Sequence, residues 1–302
     1  MPGVCTVDSE PTLRAALLNA SCAYVRVMDG WYTIGADMSP LNHAALSISR
    51  NLTLVAEGRV VLDASAESPR HVLRVDSGHV RIENIELTGG YFGITGSNVP
   101  YGGGVFNLGH LTLIGCRLTN NTAFQGGAIF NAGGLTIENT SIVNNTAWTL
   151  GAGVYHARSF LMASNMVIEA NVAMHAGGGL AAAAAGVSIT ASQLTGNTAS
   201  IGGGLYLYKQ ATVVLDRTVV SRNIATGGFE AFEKAAGAGI YLAAGHTILQ
   251  NQSRIFGNVG PVKGSGISVY NAMPGGVVYA LPAPPGMYLE SYYTCRKLVC
   301  VP

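Results

Sequence analysis

An asparagine recurs along most of this chain at a nearly constant interval. It occupies six positions separated by 24, 26, 26, 26 and 35 residues, namely Asn121, Asn145, Asn171, Asn197, Asn223 and Asn258. The surrounding pattern repeats as well: aliphatic residues stand ten and three positions before each asparagine, a β-branched residue follows it, and a small residue and glycines come next. Self-similarity at this period indicates stacked copies of one structural unit rather than a mixture of different elements.

The local patterns inside each repeat are those of short strands. Runs such as Leu135-Thr136-Ile137 and Ile129-Phe130 are aliphatic, β-branched or aromatic, and glycine and asparagine bound them. Such runs are typical of strands separated by turns, and no apolar pattern of helix length lies between them. The repeat therefore predicts one turn of a parallel β-helix, in which each strand pairs with its counterpart ~4.8 Å away.

Stacking of the turns places equivalent residues in columns. The aliphatic columns are predicted to fill the interior, and the glycine and alanine columns to lie where the chain bends. The asparagine column is predicted to be a ladder of side-chain amides that bridges successive turns. A shorter column, Asn107, Asn131 and His156, is interpreted in the same way. The predicted fold class is all-β, a single-stranded parallel β-helix.

Residues 1–22 are predicted to form an N-terminal cap with a short helix. Pro11 suits a first helical turn, and Leu13, Ala16 and Leu17 share one apolar face. A helix here would cover the open end of the first turn, which otherwise exposes both the core and a strand edge.

The solenoid itself is predicted over residues 23–272, with the clearest repeat at 80–270. Prolines at 282, 284 and 285 cannot lie in a central strand. Residues 273–302 are therefore predicted to leave the repeat, as a C-terminal cap or as the start of a cysteine-rich region.

Composition excludes several classes of partner. Charged residues make up 11% of the 302 residues and the net charge is +1, compared with roughly 25% charged residues in an average domain. This balance predicts no nucleic-acid partner. No apolar run is long enough for a transmembrane segment. The first residues also lack the features of a secretory signal, which leaves a cytosolic protein or part of a longer chain as alternatives.

Five cysteines favour an oxidising compartment. Cys5, Cys22, Cys295 and Cys300 lie at the two ends of the chain and are candidates for disulfides, whereas Cys116 is left over inside the repeat. Terminal disulfides with one buried thiol would indicate an extracellular or cell-surface location.

An aromatic column is the first candidate binding surface. Its members occupy the same slot of successive repeats, with Ala181 between them: Phe106, Phe130, Tyr155, Tyr206 and Tyr241. If the neighbouring leucines point inward, strand alternation directs these rings outward. The resulting exposed ladder would suit the stacking of sugar rings. The alternative is that the rings only stack on one another.

Two inserted loops are the second candidate. The connection that follows the asparagine slot is lengthened to fifteen residues between Gly90 and Val105, and to seventeen between Asn223 and Ile240. The insertions leave from the same edge of the predicted solenoid and carry four aromatic residues, Tyr91, Phe92, Phe229 and Phe232. Insertions on one face of a repeat protein often line its binding face, although neutral surface loops are the alternative.

The run Gly126-Gly127-Ala128-Ile129, with Asn131 after it, resembles the right-handed parallel β-helix repeats of polymorphic outer membrane proteins and of the pectin-lyase-like superfamily. The resemblance covers about residues 80–270 and implies a right-handed solenoid. The chain departs from the outer-membrane group because it has one full copy of the glycine motif and no membrane barrel after it. The run from Leu281 to Gly286, followed by Cys295, resembles a junction to a cysteine-rich extracellular region, which implies a larger polypeptide.

Enzymes of the pectin-lyase-like fold need clustered carboxylates. Lyases bind Ca²⁺ through them, and hydrolases need two acidic groups in one cleft. Between residues 140 and 229 the only acids are Glu169 and Asp216, two turns apart. A richer group near the first turns is interpreted as a solvated strand surface: Asp63, His71, Arg74, Asp76, His79, Arg81, Glu83 and Glu86. No catalytic, metal or cofactor site is predicted.

These observations favour a non-enzymatic, extracellular or cell-surface module for adhesion or recognition. The expected partner is a carbohydrate or another surface protein. The alternatives are a polysaccharide lyase or glycoside hydrolase, and a structural spacer of a larger surface protein.

Overall fold

The computed structural model describes residues 3–35, 44–65, 70–91, 101–227, 237–261, 266–269 and 277–279. Over these ranges the chain forms a parallel β-solenoid of about seven turns. Its strands lie in three sheets, and strands of successive turns pair in parallel. The predicted fold class is thereby confirmed.

The strands are distributed unequally among the sheets. Sheet A contains Gly3–Val7, Cys22–Thr33, Leu52–Asp63, His79–Thr88, His110–Ile114, Arg117–Thr119, Gly134–Glu138, Ser141–Val143, Phe160–Ser164, Val167–Glu169, Gly186–Thr190, Gln193–Thr195, Ala211–Asp216, Val219–Ser221, Gly245–Gln250, Arg254–Phe256 and Val277–Tyr279. Sheet B contains Ala44–Ile48, His71–Val75, Val105–Asn107, Ile129–Asn131, Val154–His156, Leu180–Ala183, Leu205–Tyr208, Ile240–Leu242 and Ile267–Val269. Sheet C contains Thr122–Gln125, Thr146–Leu150, Val172–Ala173, Thr198–Ala199 and Ile224–Ala225.

The aliphatic columns form the core. In the first five of the six repeats the residue three positions before the asparagine is fully buried, as at Leu118, Ile142, Ile168 and Leu194, and these residues lie in register from turn to turn. Each such side chain stabilises the fold by about 1.5–3 kcal/mol relative to an exposed position. The period of the sequence is therefore the period at which apolar side chains stack inside the solenoid.

Each regular repeat has two strands in sheet A, and the chain bends after each of them. Both bends use a residue with positive φ. These residues are Gly115, Asn139, Asn165, Ala191 and Arg217 at the first bend, and Asn120, Asn144, Ala170, Gly196, Arg222 and Gly257 at the second. Glycine and asparagine adopt this conformation most readily, which explains their abundance here. A buried residue follows each bend and faces the next turn.

The predicted asparagine ladder follows the second bend. Asn145 donates from its backbone N–H and from Nδ2 to Asn171 Oδ1, both at 2.9 Å, and its Nδ2 also donates to Leu118 O at 3.0 Å. The same arrangement continues to Asn258. At the start of the ladder Gly90 takes the asparagine position and donates its backbone N–H to Asn121 Oδ1. All six asparagines are buried, so the ladder satisfies polar groups that water cannot reach.

A hydroxyl ladder, which the sequence analysis did not predict, follows the first bend. The backbone N–H of Met166 donates to Ser192 Oγ at 3.0 Å, and that of Thr218 donates to Ser253 Oγ at 3.1 Å. The Thr218 hydroxyl lies between them in the same column and donates to Ile189 O. These short polar side chains stabilise the first bend in the way that asparagine stabilises the second.

A helix, α1 (Glu10–Leu18), covers the N-terminal end. Its buried residues are Leu13, Ala16 and Leu17, the apolar face predicted from the sequence. Arg50 lies at the C-terminal end of the helix, where its guanidinium donates to Ala16 O, Leu17 O and Cys22 O at 2.9, 3.1 and 2.9 Å. A cation at this end satisfies carbonyls that have no partner within the helix and interacts favourably with the helix dipole.

Replacing Arg50 by alanine is expected to lower the free energy of unfolding by about 1–2 kcal/mol, because partly buried carbonyls lose a charged donor. Chemical denaturation measures this loss. Arg26→Ala is the control, since Arg26 is exposed and lies 3.7 Å from Glu57; its loss should be about 0.5 kcal/mol or less. Equal losses in the two variants would show that Arg50 does not hold the cap.

The two ends of the chain complete the description. Cys5 and Cys22 form a disulfide beside the cap, and Cys116 is a buried free thiol. Cys295 and Cys300 lie outside the described residues. The strand Val277–Tyr279 pairs with Gly245–Gln250, so sheet A extends beyond the boundary predicted at residue 272. In the described part of the chain, no helix is long and apolar enough to cross a bilayer.

Candidate functional site

The aromatic column stacks as predicted but is mostly buried. The ring centroid of Phe130 lies 5.2 Å from the centroids of both Phe106 and Tyr155, and the centroids of Tyr206 and Tyr241 lie 5.9 Å apart. Phe130, Tyr155 and Tyr241 are less than a tenth exposed. The prediction of an exposed aromatic ladder is therefore wrong, and the alternative, in which the rings pack on one another, describes the structure.

The cause of this burial is the segment that precedes the glycines of each turn. Leu150, Ala176 and Ile201 come from these segments and pack against the column. At the gap left by Ala181, the Tyr155 and Tyr208 hydroxyls lie 2.6 Å apart. Burial raises the pKa of Tyr208, and its hydrogen bond to Tyr155 adds to the effect. The aromatic column is thus part of a second apolar layer, which packs outside the main core of the solenoid.

Of the four aromatic residues predicted in the inserted loops, Tyr91 is described and the others are not. Phe92, Phe229 and Phe232 lie outside the described residues. Tyr91 is 45% exposed and forms bridges to Arg70 and Thr122. It also lies on the rim of a surface cleft near the N-terminal end of the solenoid.

This cleft has a volume of about 460 Å³ and is the candidate functional site of the chain. Its lining residues come from successive turns: Trp31, Asp63, Ser65, Glu86, Thr88, Gly89, Tyr91 and Asn120. We refer to it as the Trp31 cleft. It combines two exposed aromatic rings with carboxylate, hydroxyl and amide groups.

Strand register in sheet A brings these residues together. Trp31 pairs with Val61, which pairs with Glu86, and in the next outward column Asp63 pairs with Thr88. The column between them, with Leu62 and Leu87, is buried inside. Since side chains alternate along a strand, Trp31, Asp63 and Glu86 are directed to the outer face.

Trp31 is the most exposed aromatic residue of the cleft, at 61%. Its indole Nε1–H donates to Asp63 Oδ2 at 3.0 Å, across one turn of the solenoid. The indole has a single polar atom, and this bond satisfies it. The ring is therefore held in one orientation and offers an apolar face to solvent.

Asp63 is itself fixed in place. Its second oxygen, Oδ1, accepts a hydrogen bond from the backbone N–H of Ser65 at 2.8 Å. Gly89 of the next turn packs directly against this group: a Cβ there would clash with Asp63 Oδ1 and would lie 2.7 Å from Ser65 N. Gly89 also has a φ of +72°. Both its conformation and its close approach thus require glycine.

Glu86 is the second carboxylate of the cleft. Its Oε1 lies 3.6 Å from Arg117 Nε on the following turn, and the two residues are paired in sheet A. Arg117 is half-exposed and is not among the residues that line the cleft. The cleft wall therefore carries two acidic side chains, one of them with a basic neighbour.

The other members of the charged group near the first turns do not join the cleft. Arg74 pairs with Asp76 and Arg81 with Glu83. His71 stacks on Phe106, and His79 stacks on His110. Of that group, the structure brings Asp63 and Glu86 to one site. Within the described ranges, no three His, Cys, Asp or Glu side chains lie close enough to hold a metal ion.

Trp31 is the residue that sequence reasoning missed. It lies outside the regular repeat, on a strand whose partner in register is thirty residues away. A local signal could have identified it. Side chains alternate along a strand, so that if Tyr32 points inward the neighbouring Trp31 points to solvent. The pairing with Asp63 needs the register of the irregular first turns, which the repeat does not supply.

Comparison with known proteins supports the fold, whereas the candidate site is identified from the structure alone. The model of the right handed beta helix region matches residues 67–224, more than half of the chain, and confirms the predicted handedness. No curated protein and no solved structure matches the chain significantly. The matched range includes Glu86, Tyr91 and Asn120 but neither Trp31 nor Asp63. The chain therefore belongs to the right-handed β-helix family.

Proposed function

We propose that this chain is a non-enzymatic recognition module of an extracellular or cell-surface protein, with an adhesive role, and that a saccharide binds in the Trp31 cleft. The observation that carries the proposal is the state of Trp31, which is exposed while its indole N–H is held by Asp63. A rigid exposed ring binds an apolar sugar face at little cost in side-chain entropy.

The polar groups around Trp31 suit the hydroxyls of a sugar. Glu86 and Asp63 supply acceptors, and the Ser65 hydroxyl and the Asn120 amide supply donors as well as acceptors. Few polar groups around an aromatic surface are the usual composition of a small-molecule site. Tyr91 adds a second ring to the lining.

Recognition is favoured over catalysis by the way the carboxylates are engaged. A glycoside hydrolase needs one carboxyl group to give a proton and a second to attack or to activate water. Here both oxygens of Asp63 accept structural hydrogen bonds, and Glu86 is paired with Arg117. These carboxylates are therefore better placed to bind hydroxyls than to transfer protons.

The extracellular location is supported by the disulfide between Cys5 and Cys22. Disulfides form and persist in oxidising environments. Alkylation of the protein purified from its natural source tests this part of the proposal: these two cysteines should resist modification until a reductant is added, and free thiols at both positions would contradict it.

The binding proposal is tested on a glycan array with the purified protein. Trp31→Ala and Tyr91→Ala are expected to weaken saccharide binding by about tenfold or more, since each removes a stacking surface. Phe160→Ala is the control, because Phe160 is a similarly exposed ring, 51%, on another part of sheet A. Equal binding by all three variants would place the site elsewhere.

A glycoside hydrolase is the second candidate, since Asp63 and Glu86 share one cleft. Release of reducing sugar from the bound glycans, lost in Glu86→Gln, would establish it and overturn the non-enzymatic proposal. Absence of both binding and product would instead favour a structural spacer or a protein-binding module.

A further inference from the structure

We infer that the Trp31 cleft selects uncharged sugar rings and rejects uronic acids. This inference rests on the proposed function and adds to it the chemical class of the ligand. It follows from the signs of the charges among the described lining residues, from the hydrogen bonds that hold Asp63 and from the pairing of Arg117 with Glu86.

The charges on the cleft wall are of one sign. Among the lining residues that the structure describes, the ionisable groups besides Tyr91 are Asp63 and Glu86, and none is basic. Arg117 lies 3.6 Å from Glu86 and is directed along the column toward it. Among the described residues that line the cleft, a carboxylate on a sugar ring would therefore meet two like charges and no cation.

Asp63 is held beside such a ligand by hydrogen bonds and by packing. Its two oxygens are held by Trp31 Nε1 and Ser65 N at 3.0 and 2.8 Å, and Gly89 occupies the space behind it. The same bond holds the stacking ring of Trp31. Any sugar that stacks on this ring consequently lies next to a fixed negative charge.

An uncharged ring meets no such opposition. Its hydroxyls can donate to the remaining acceptor positions of Asp63 and Glu86, and carboxylates are strong acceptors for hydroxyl groups. The hydroxyl of Ser65 and the amide of Asn120 then provide neutral partners for other ring oxygens. The cleft thus discriminates between two sugars that differ by one oxidised carbon.

The test compares matched pairs of immobilised sugars: glucosides against glucuronides and galactosides against galacturonides, each in both anomeric forms and at one surface density. We expect the preferred neutral sugar to bind at least about tenfold more tightly than its uronate at low ionic strength. Added salt should narrow this ratio, because part of the discrimination is electrostatic and is screened.

Glu86→Gln provides the decisive variant, because glutamine keeps the size and hydrogen-bonding capacity of the side chain and removes its charge. Binding of the uronate should rise several-fold, while that of the neutral sugar should fall, because a neutral amide accepts its hydroxyl less strongly than a carboxylate does, so the ratio of the two affinities should narrow. Thr136→Ala, on a half-buried outer position of sheet A away from the cleft, is the matched control and should change neither. Circular dichroism checks the fold of both variants.

Two results would overturn the inference while leaving the proposed function intact: a uronate that binds as tightly as its neutral counterpart, or a ratio that neither salt nor Glu86→Gln alters. Binding of neither member of any pair, together with silence on the wider glycan array, would instead overturn the proposed function.

Discussion

Replacement of Gly126 by alanine is expected to lower the free energy of unfolding by about 3 kcal/mol. Gly126 has a φ of +66°, which costs an L-residue about 1–2 kcal/mol. A Cβ at this position would also lie 2.5 Å from Ile129 O and 2.7 Å from Phe130 N. Both contacts are with backbone, so no flexible side chain can move aside, and overpacking adds a further 1–3 kcal/mol or so.

Gly196 provides the matched control because it shares the backbone conformation but not the crowding. Its φ is +64°, and the nearest atom to a Cβ would be Ala170 N at 4.0 Å. Ala170 already adopts positive φ at the equivalent bend of the preceding repeat. Gly196→Ala should therefore cost about 1 kcal/mol. Chemical denaturation compares the two variants, and similar losses would mean that conformation alone, and not close packing, requires glycine at position 126.

Acidification from pH 6.5 to pH 4 is expected to remove about 3 kcal/mol of stability through one histidine. His156 is completely buried in the column of Asn107 and Asn131. Asn131 Nδ2 donates to His156 Nδ1 at 2.8 Å, which makes Nδ1 an acceptor and leaves the proton of the neutral ring on Nε2. Nε2 is buried without a well-formed hydrogen bond.

Burial lowers the pKa of His156 to about 4, and the Ser159 backbone offsets this shift only in part. In the unfolded chain the pKa of histidine is about 6.5. The unfolded state therefore binds a proton at a higher pH than the folded state does. The contribution of neutral His156 to the free energy of unfolding is fully present above pH 6.5 and is lost as the pH falls toward 4. The difference between the two pKa values corresponds to about 3 kcal/mol.

The measurement is the free energy of unfolding by denaturant at a series of pH values between 7.5 and 4. His156→Asn is the test variant, because asparagine continues the column and can accept from Asn131 without titrating. The free energy of unfolding of this variant should fall less steeply with decreasing pH than that of the unsubstituted protein. The two slopes should differ by about 1.4 kcal/mol per pH unit in the range where His156 is protonated in the unfolded state and neutral in the folded state.

His246→Asn is the control, since His246 is exposed in sheet A. The slope in this variant should remain that of the unsubstituted protein. If His156→Asn also leaves the slope unchanged, the acid sensitivity of the fold arises at other groups.

The solenoid, its core and its asparagine ladder follow directly from the repeat in the sequence. These features depend on residues that meet their own equivalents one turn away, such as Asn145 with Asn171 and Leu135 with Leu161. Because the contact partner is the same position of the next repeat, the period in the sequence is also the register in space. The capping helix was predictable for a similar reason, since its apolar face is a local pattern of Leu13, Ala16 and Leu17.

The exposure of the outer surfaces and the position of the cleft depend instead on how unlike parts of the chain pack together. Strand alternation directs Phe130 and Tyr155 outward, but their burial depends on Leu150 and its neighbours, which fold over the sheet. The Trp31 cleft joins Trp31, Asp63 and Tyr91 through the register of turns that have no regular repeat. A periodic pattern specifies contacts between like positions, whereas contacts between unlike positions depend on how loops and irregular strands pack, which the period does not encode.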